Sequence, residues 1–443
     1  MYFKYEKRGD KVGFFSGQDY IVIDGQKKLT NNKPPLEFTS PKTVAIPLKN
    51  ISYEDFTVHV EVGDYVKIGT KLATGNDHLK LPLFCSVSGT VTAIEKRDHV
   101  SLRKTNHIVI ENDFKDEKET LFEASSDILS LEGTKIKDYM KEAGVLGLGG
   151  SGVPTFTKFR NTKNVNTILI NGVESEVYIT ADEHNMTTSP NFLIQGAAAI
   201  MKASEVKETK IVITEDKSEL LTNLKELSKD YSGIEIVTVP NEYPIGAEVK
   251  LIKRLFNKTY KIMPLEVGIV SLNASTVIEF AKTLSTGLPL YERVITLSGS
   301  GFASPQNVKV RVGTVLSDIL PEMGGYVSGV PKNARLVHGG PLRGNSIISD
   351  NVSVTPITNG FTCIANAENE EVACSRCSAC VYYCPEGLQP IQILRANKVK
   401  DKDTLKKLGA DKCIECGICS FVCPSFINVT EGAIKGKQLA LEK

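Results

Sequence analysis

Along the chain, the spacing of apolar positions changes character several times, and each change marks a different kind of structure. Residues 1–40 show no sustained period. They are polar and irregular, Asn31-Asn32-Lys33-Pro34-Pro35 is a loop signal, and the segment reads as an N-terminal arm. Residues 41–115 then carry short β-branched runs at Thr43–Leu48, Thr57–Val62, Phe84–Val87 and Thr90–Ile94. Gly63-Asp64, Gly69, Gly75-Asn76-Asp77 and Gly89 punctuate them as turns. The pattern predicts a small β-sandwich.

Over residues 130–290 the period alternates between helix and strand. Helices are expected at Ile136–Ala143, near Ala197–Lys207 and Ser218–Ser228, and at Glu248–Asn257 and Ala274–Leu284. Strands are expected at Asn166–Ile170, Lys210–Thr214 and Ile234–Val239. Such alternation implies an α/β layer fold. Residues 291–350 return to strands, Val294–Leu297 and Lys309–Val312, with a short helix at Val315–Pro321. Polar Glu368–Glu371 reads as a linker into a last unit at 365–443.

A chain of 443 residues suggests about three domains by length, with 41% hydrophobic and 24% charged residues, ordinary values for a soluble globular protein. The net charge of +1 argues against nucleic acid as the main partner, because phosphate neutralisation requires a basic surplus. No segment reaches the roughly 18 consecutive apolar residues of a spanning helix. Phe192–Met201, the longest candidate, is interrupted by Gln195 and Gly196. Met1–Glu6 lacks the regions of a signal peptide. The expectation is a cytoplasmic protein able to dock peripherally on a membrane complex.

Of ten cysteines, eight fall within residues 374–423. Cys374-Ser-Arg-Cys377-Ser-Ala-Cys380-Val-Tyr-Tyr-Cys384-Pro385 and Cys413-Ile-Glu-Cys416-Gly-Ile-Cys419-Ser-Phe-Val-Cys423-Pro424 both follow C-x2-C-x2-C-x3-C-P. In this run the fourth Cys ligates the other of two [4Fe–4S] clusters. One cluster is therefore assigned to Cys374, Cys377, Cys380 and Cys423, and the other to Cys413, Cys416, Cys419 and Cys384. The duplication predicts a ferredoxin-like pair of half-units and a short electron relay. Structural zinc, which usually takes separated C-x2-C pairs, fits two complete runs poorly. Cys85 and Cys363 stand alone and read as buried, inert thiols.

Gly147-Leu-Gly149-Gly150-Ser151-Gly152-Val153-Pro154-Thr155 contains G-x-G-x-x-G, but the segment before it reads as a helix, which excludes a standard dinucleotide fingerprint. Glycines still let backbone N–H groups approach a phosphate closely, with Lys158 near to neutralise it; a tight structural turn accounts for them equally well. Beyond the next strand, Asn171-Gly-Val-Glu174-Ser-Glu176 places polar groups at a strand's carboxyl end, where ribose or ring groups are recognised in α/β folds.

Gly147–Lys158, Asn171–Asp182 and the double cysteine run resemble the RnfC family, the peripheral subunit of the Rnf electron-transport complex. The first two segments are also similar to the FMN- and NADH-binding subunit of respiratory complex I. Tyr243-Pro-Ile-Gly246-Ala-Glu248, Val270-Ser-Leu-Asn273-Ala-Ser-Thr276, Arg311-Val-Gly313-Thr and His338-Gly-Gly340-Pro341 continue the resemblance over about residues 40–435. It implies a barrel-sandwich hybrid, an α/β FMN-binding domain, a β-grasp-like domain at 291–350 and an all-α dicluster domain. It implies FMN held by Gly147, Gly149, Gly150, Gly152, Lys158, Asn171, Glu174, Tyr243, Gly246 and Asn273, with Glu176 and Glu248 where the family meets NAD(H). The chain departs from the family at Val153, where an aromatic residue is usual and stacks on NADH in the complex I relative. It departs again at Ser175 and Val177, which replace Cys and Pro, and in lacking a Gly- and Pro-rich N-terminal segment. The function implied is electron transfer between NAD(H) and ferredoxin-type redox partners through FMN and two clusters. The alternative is a soluble cluster adaptor that feeds a reductase, such as proline reductase, without binding NADH.

Overall fold

The computed structural model describes residues 5–6, 19–49, 53–330, 334–365 and 370–442. The first part of the arm and the first half of Glu368–Glu371 lie outside them.

In the first β unit, Thr43–Pro47, Lys104–Asn112, Gly89–Asp98 and Tyr65–Val66 form an antiparallel sheet in that order. Phe56–Val58, Lys71–Gly75 and Pro82–Phe84 form a second. Val44, Ile46, Leu72, Val87, Val91, Ile108 and Ile110 fill the space between. Two expected strands move. Thr57–Val62 is a strand only to Val58, since the chain turns at Asp64, whose amide bonds the Glu61 carbonyl. Phe84–Val87 shifts to Pro82–Phe84, because Cys85–Val87 is a connection whose apolar side chains are buried for packing rather than for pairing. The paired strands Lys71–Gly75 and Lys104–Asn112 carried no separate sequence signal.

The next unit holds a parallel sheet ordered Ile234–Val239, Glu208–Thr214, Thr167–Asn171, Ile269–Asn273. Side chains alternate across it as strand geometry requires. Ile168 and Ile170 pack with the helices Gly133–Glu142, Pro190–Ser204 and Ala274–Thr286, while Leu169 packs with Leu251 and Ile252 of Glu248–Phe256. Helix Pro190–Ser204 starts earlier than expected, with Pro190 in its first turn where a missing N–H costs nothing, and ends before Glu205 at φ 60°. Asn171 and Asn273 lie side by side in register at the sheet's carboxyl end.

A mixed sheet follows, ordered Asn345–Ile347, Ala334–His338, Gly360–Ala365, Glu292–Ser298, Gln306–Arg311, Leu36–Phe38. It reaches beyond 291–350 on both sides: Gly360–Ala365 is its third strand, and Leu36–Phe38, read as arm, is its parallel edge. The cysteine unit repeats itself. Short helices Ala379–Tyr382 and Ile418–Phe421 each precede a loop that contains a Pro, Pro385 or Pro424, and a longer helix, Pro390–Lys398 and Val429–Leu441.

Candidate functional site

A cavity of about 790 Å³ opens at the carboxyl end of the parallel sheet. Gly147, Gly149, Gly150, Gly152, Lys158, Asn171, Glu174, Glu176, Gly246, Glu248 and Asn273 all line it. The glycine loop is closed on itself: Gly147 N–H donates to the Val153 carbonyl and Gly152 N–H to that of Gly147, each at 2.9 Å. It lies directly over helix Ala274–Thr286, and the Leu148 amide donates to Thr276 Oγ1 at 2.8 Å. A Cβ on Gly149 would stand 3.1 Å from Asn273 Cβ, so the loop is seated as closely as its lack of side chains allows.

The polar groups are fixed by the ends of the surrounding elements. Asn273 caps helix Ala274–Thr286, accepting from Thr276 N–H at 3.3 Å, and donates to Asp182 Oδ2 at 2.6 Å. Asn171 donates to the Gly246 carbonyl at 2.9 Å and accepts from Val173 N–H at 3.0 Å. The Glu174 carboxylate accepts from Asp182 and Glu183 N–H at 2.9 and 3.2 Å, at the N-terminus of helix Ala181–Thr188. Burial nevertheless raises its pKa to about 7, opposed by Lys27. Glu176 accepts from Leu342 N–H at 2.8 Å through Oε1, while its Oε2 is buried with no hydrogen-bond partner among the described residues; burial raises this carboxyl too. Lys158 reaches in from Thr155–Phe159 and donates to the Ser271 carbonyl at 2.7 Å. Burial lowers its pKa, with Glu248 opposing.

Tyr243 stands apart from these residues. It does not line the cavity; its hydroxyl donates to the Cys416 carbonyl at the junction with the cysteine unit. Val153 is also absent from the lining and is 41% exposed. Asp182 and Arg343 line the cavity without having been singled out as site residues, as do Lys49, Phe56 and His99 from the first β unit. Lys27 carried no sequence signal because it sits in a polar arm. Its ammonium donates to the carbonyls of Glu174 at 2.8 Å, Glu176 at 2.7 Å and Ile179, holding the acidic loop from behind.

The cavity reaches the cysteine unit through a short contact. Leu342, whose amide holds Glu176, presses its carbonyl to where a Gly417 Cβ would be, only 2.2 Å away, at φ 81°. A side chain there would force the two units apart.

Cys384, Cys413, Cys416 and Cys419 line one small enclosed space. The charges of Cys374, Cys377 and Cys423 act on Cys380, and those of Cys384 and Cys413 act on both Cys416 and Cys419. These neighbours are the ones a crossed assignment expects, while Cys419 also packs with Cys374, Cys380 and Cys423. Among the described residues no three His, Cys, Asp or Glu side chains close on a single-ion position. A cubane binds thiolates at its outer corners, farther apart than the ligands of one ion. Burial pushes the thiols of Cys416 and Cys419 up to about 12, so they ionise only as a metal takes the proton's place. Cys85 and Cys363 are buried, with burial raising them to about 12 and about 11.

Residues 140–282 match the family described as the Nuo51 FMN-binding domain, and 373–427 match the 4Fe-4S dicluster domain. Residues 17–115 match the RnfC barrel sandwich hybrid domain, so this match begins inside the segment read as an arm. A relative from Acetobacterium woodii, named as a subunit of the Na(+)-translocating ferredoxin:NAD(+) oxidoreductase complex, is 30% identical, with 86% of this chain and 87% of that protein covered. The chain belongs to the RnfC family. A second RnfC-family relative, from Clostridium ljungdahlii, is named as a subunit of the proton-translocating ferredoxin:NAD(+) oxidoreductase complex. It is 31% identical over 83% of this chain and 81% of its own. A third, from Pectobacterium carotovorum, is named as a subunit of the ion-translocating oxidoreductase complex. The chain spans 52% of that protein's length, at 31% identity over 87% of its own. Among solved structures, a chain of the NAD+-reducing [NiFe]-hydrogenase in the H2-reduced state shares the fold. The TM-score is 0.50 at 15% identity, with 71% of this chain and 62% of that one covered.

Proposed function

We propose that this chain is the electron-transfer subunit that exchanges electrons between NAD(H) and ferredoxin-type partners within an ion-translocating complex, using FMN and two [4Fe–4S] clusters. Its relatives are named as subunits of such complexes, so its partners are other subunits of one. No described helix is long and apolar enough to cross a membrane, and the reading gives the chain a peripheral place on partner subunits. The strand pattern of residues 291–365 and Leu36–Phe38 is read as a β-grasp-like domain, beside the barrel-sandwich, α/β and dicluster domains.

The observation that carries this reading is one cavity that gathers the glycine loop, Lys158, the acidic loop and Arg343, whose chain neighbour Leu342 touches Gly417 of the cysteine unit. Gly147–Gly152 would meet the FMN phosphate with backbone N–H groups. Lys158 has one carbonyl partner for its three donors among the described residues and would meet the same charge. Asn171, Glu174, Gly246 and Asn273 would shape the rest of the flavin site. Glu176, with one carboxylate oxygen unpartnered among the described residues, and Glu248 would accept hydrogen bonds from nicotinamide-nucleotide hydroxyl or N–H groups. Bound flavin supplies the step from hydride chemistry to single electrons. The chain's own residues would fix it at the sheet end.

Reconstituted protein is expected to hold one FMN and eight cluster irons per chain, following the ligand count of the two runs. Protein that takes up cluster iron but never flavin would favour the adaptor reading, and redox-silent metal would overturn both.

A further inference from the structure

The two cysteine sets occupy different surroundings. Cys377 is exposed and Cys374, Cys380 and Cys423 are half-buried. The other set lies against the rest of the molecule: Tyr243 bonds the Cys416 carbonyl, Leu342 packs on Gly417, and Lys250 reaches Pro385 and Glu386 beside Cys384. The set Cys384, Cys413, Cys416 and Cys419 is therefore the inner one, next to the cavity.

Lys250 is the unexplained group at this junction. It projects from helix Glu248–Phe256 and is 0% exposed. Its ammonium donates to the Pro385 carbonyl, pairs with Glu386 Oε1 at 2.8 Å as a charge contact, and lies 5.7 Å from the Tyr20 ring centroid. Burying an ammonium costs several kcal/mol unless it is well compensated. The Pro385 carbonyl, one carboxylate at the unit's edge and the Tyr20 ring face compensate it among the described residues, and a cluster's negative charge beside Cys384 would add to them. Other charges stand at the inner set as well: Lys437 donates to the Cys413 carbonyl at 2.8 Å and pairs with Glu415 at 2.7 Å, the charge of Arg343 favours ionised Cys416, and Glu386 and Glu415 oppose these cations at Cys384 and Cys413. The Leu388 amide donates to Cys384 Sγ at 3.3 Å, and Thr430 Oγ1 lies 3.3 Å from Cys419 Sγ. Cluster potentials respond to local charge and to hydrogen bonds on the sulfurs.

We infer that Lys250 is a positioning residue whose fixed positive charge raises the reduction potential of the inner cluster and so makes it the acceptor for electrons arriving from the cavity. The inference rests on the two-cluster reading above. One electron from a reductant adds one negative charge to the cluster and transfers no proton; the ammonium stabilises that added charge.

The test is a potentiometric titration of the whole reconstituted chain with dithionite and mediators, each cluster followed by its electron paramagnetic resonance signal. Lys250→Met should lower the inner cluster's reduced-to-oxidised ratio at fixed potential at least tenfold, about 59 mV for a one-electron couple. The outer cluster should be unmoved, and Lys250→Arg should restore the wild-type value. Glu386→Gln, which removes the counter-charge, should shift the inner cluster the other way. Unchanged potentials in Lys250→Met, or equal shifts of both clusters, would overturn the inference. Should Lys250→Met lose the inner cluster, Glu386→Gln decides: a shift toward easier reduction supports the role and no shift refutes it. Iron and sulfide analysis of the wild type keeps the cases apart, because a chain that never holds two clusters refutes the cluster reading itself.

Discussion

The cysteine unit keeps its eight paired-run ligands within residues 374–423, on two short helices and the loops beside them. The cavity draws its lining from residue 46 to residue 359, across three units. A site of the first kind depends on local turn geometry and survives movement of its neighbours. A site of the second kind exists only while several domains hold their places, so residues that touch no ligand can govern it. Lys27 and the Leu342–Gly417 contact belong to that group.

The difference can be broken from either side. The largest effect is expected at Cys384→Ala. The crossed ligand pattern predicts loss of the cluster bound by Cys413, Cys416 and Cys419, about half the cluster iron, with flavin retained. Loss confined to the cluster of Cys374, Cys377 and Cys380, read by spectroscopy of the partly loaded protein, would reverse the assignment. Next in size is Lys27→Met, which leaves the carbonyls of Glu174, Glu176 and Ile179 without their shared donor. Denaturant titration should show a loss on the order of 3 kcal/mol, and equilibrium dialysis weaker flavin retention, while the iron content stays at the wild-type level.

Gly149→Asp places a side chain 3.1 Å from Asn273 Cβ and a negative charge at the loop. Flavin affinity, measured by fluorescence quenching, should fall about a hundredfold, combining overpacking of roughly 1–3 kcal/mol with charge repulsion. Unchanged occupancy would move the phosphate elsewhere. The smallest effect concerns pH. Glu174 is held at about 7 by burial against an ordinary 4.5. A carboxyl with a raised folded pKa binds its proton more tightly when folded. Its share of stability is therefore complete below about pH 4.5 and is lost as pH rises through about 7. Between those limits the flavin-free wild type should lose on the order of 2 kcal/mol more than Glu174→Gln. Parallel stability–pH curves for the two proteins would contradict this account of the acidic loop.

The dicluster domain was legible because a cubane imposes one spacing on the chain, and Cys374–Cys384 and Cys413–Cys423 show it twice. The helices Ser218–Ser228 and Glu248–Phe256 were legible from periodicity alone. Cys85–Val87 misled because burial, not pairing, selects those residues, and the two look alike in sequence. The arm misled for the opposite reason. Leu36–Phe38 is too short to show alternation, and the value of Lys27 lies in three carbonyls roughly 150 residues away, which no local pattern encodes. The family resemblance of Tyr243–Glu248 implies a flavin contact for Tyr243, and its hydroxyl bonds the Cys416 carbonyl.

The central claim is that one chain carries electrons from NAD(H) through the cavity to the cysteine unit. The most direct measurement is an anaerobic NADH titration of the FMN- and cluster-loaded protein, following flavin absorbance and cluster resonance together. The account predicts flavin bleaching followed by cluster signals, with two electrons delivered per NADH. Flavin and clusters that stay oxidised under NADH, yet are reduced at once by dithionite, would contradict it.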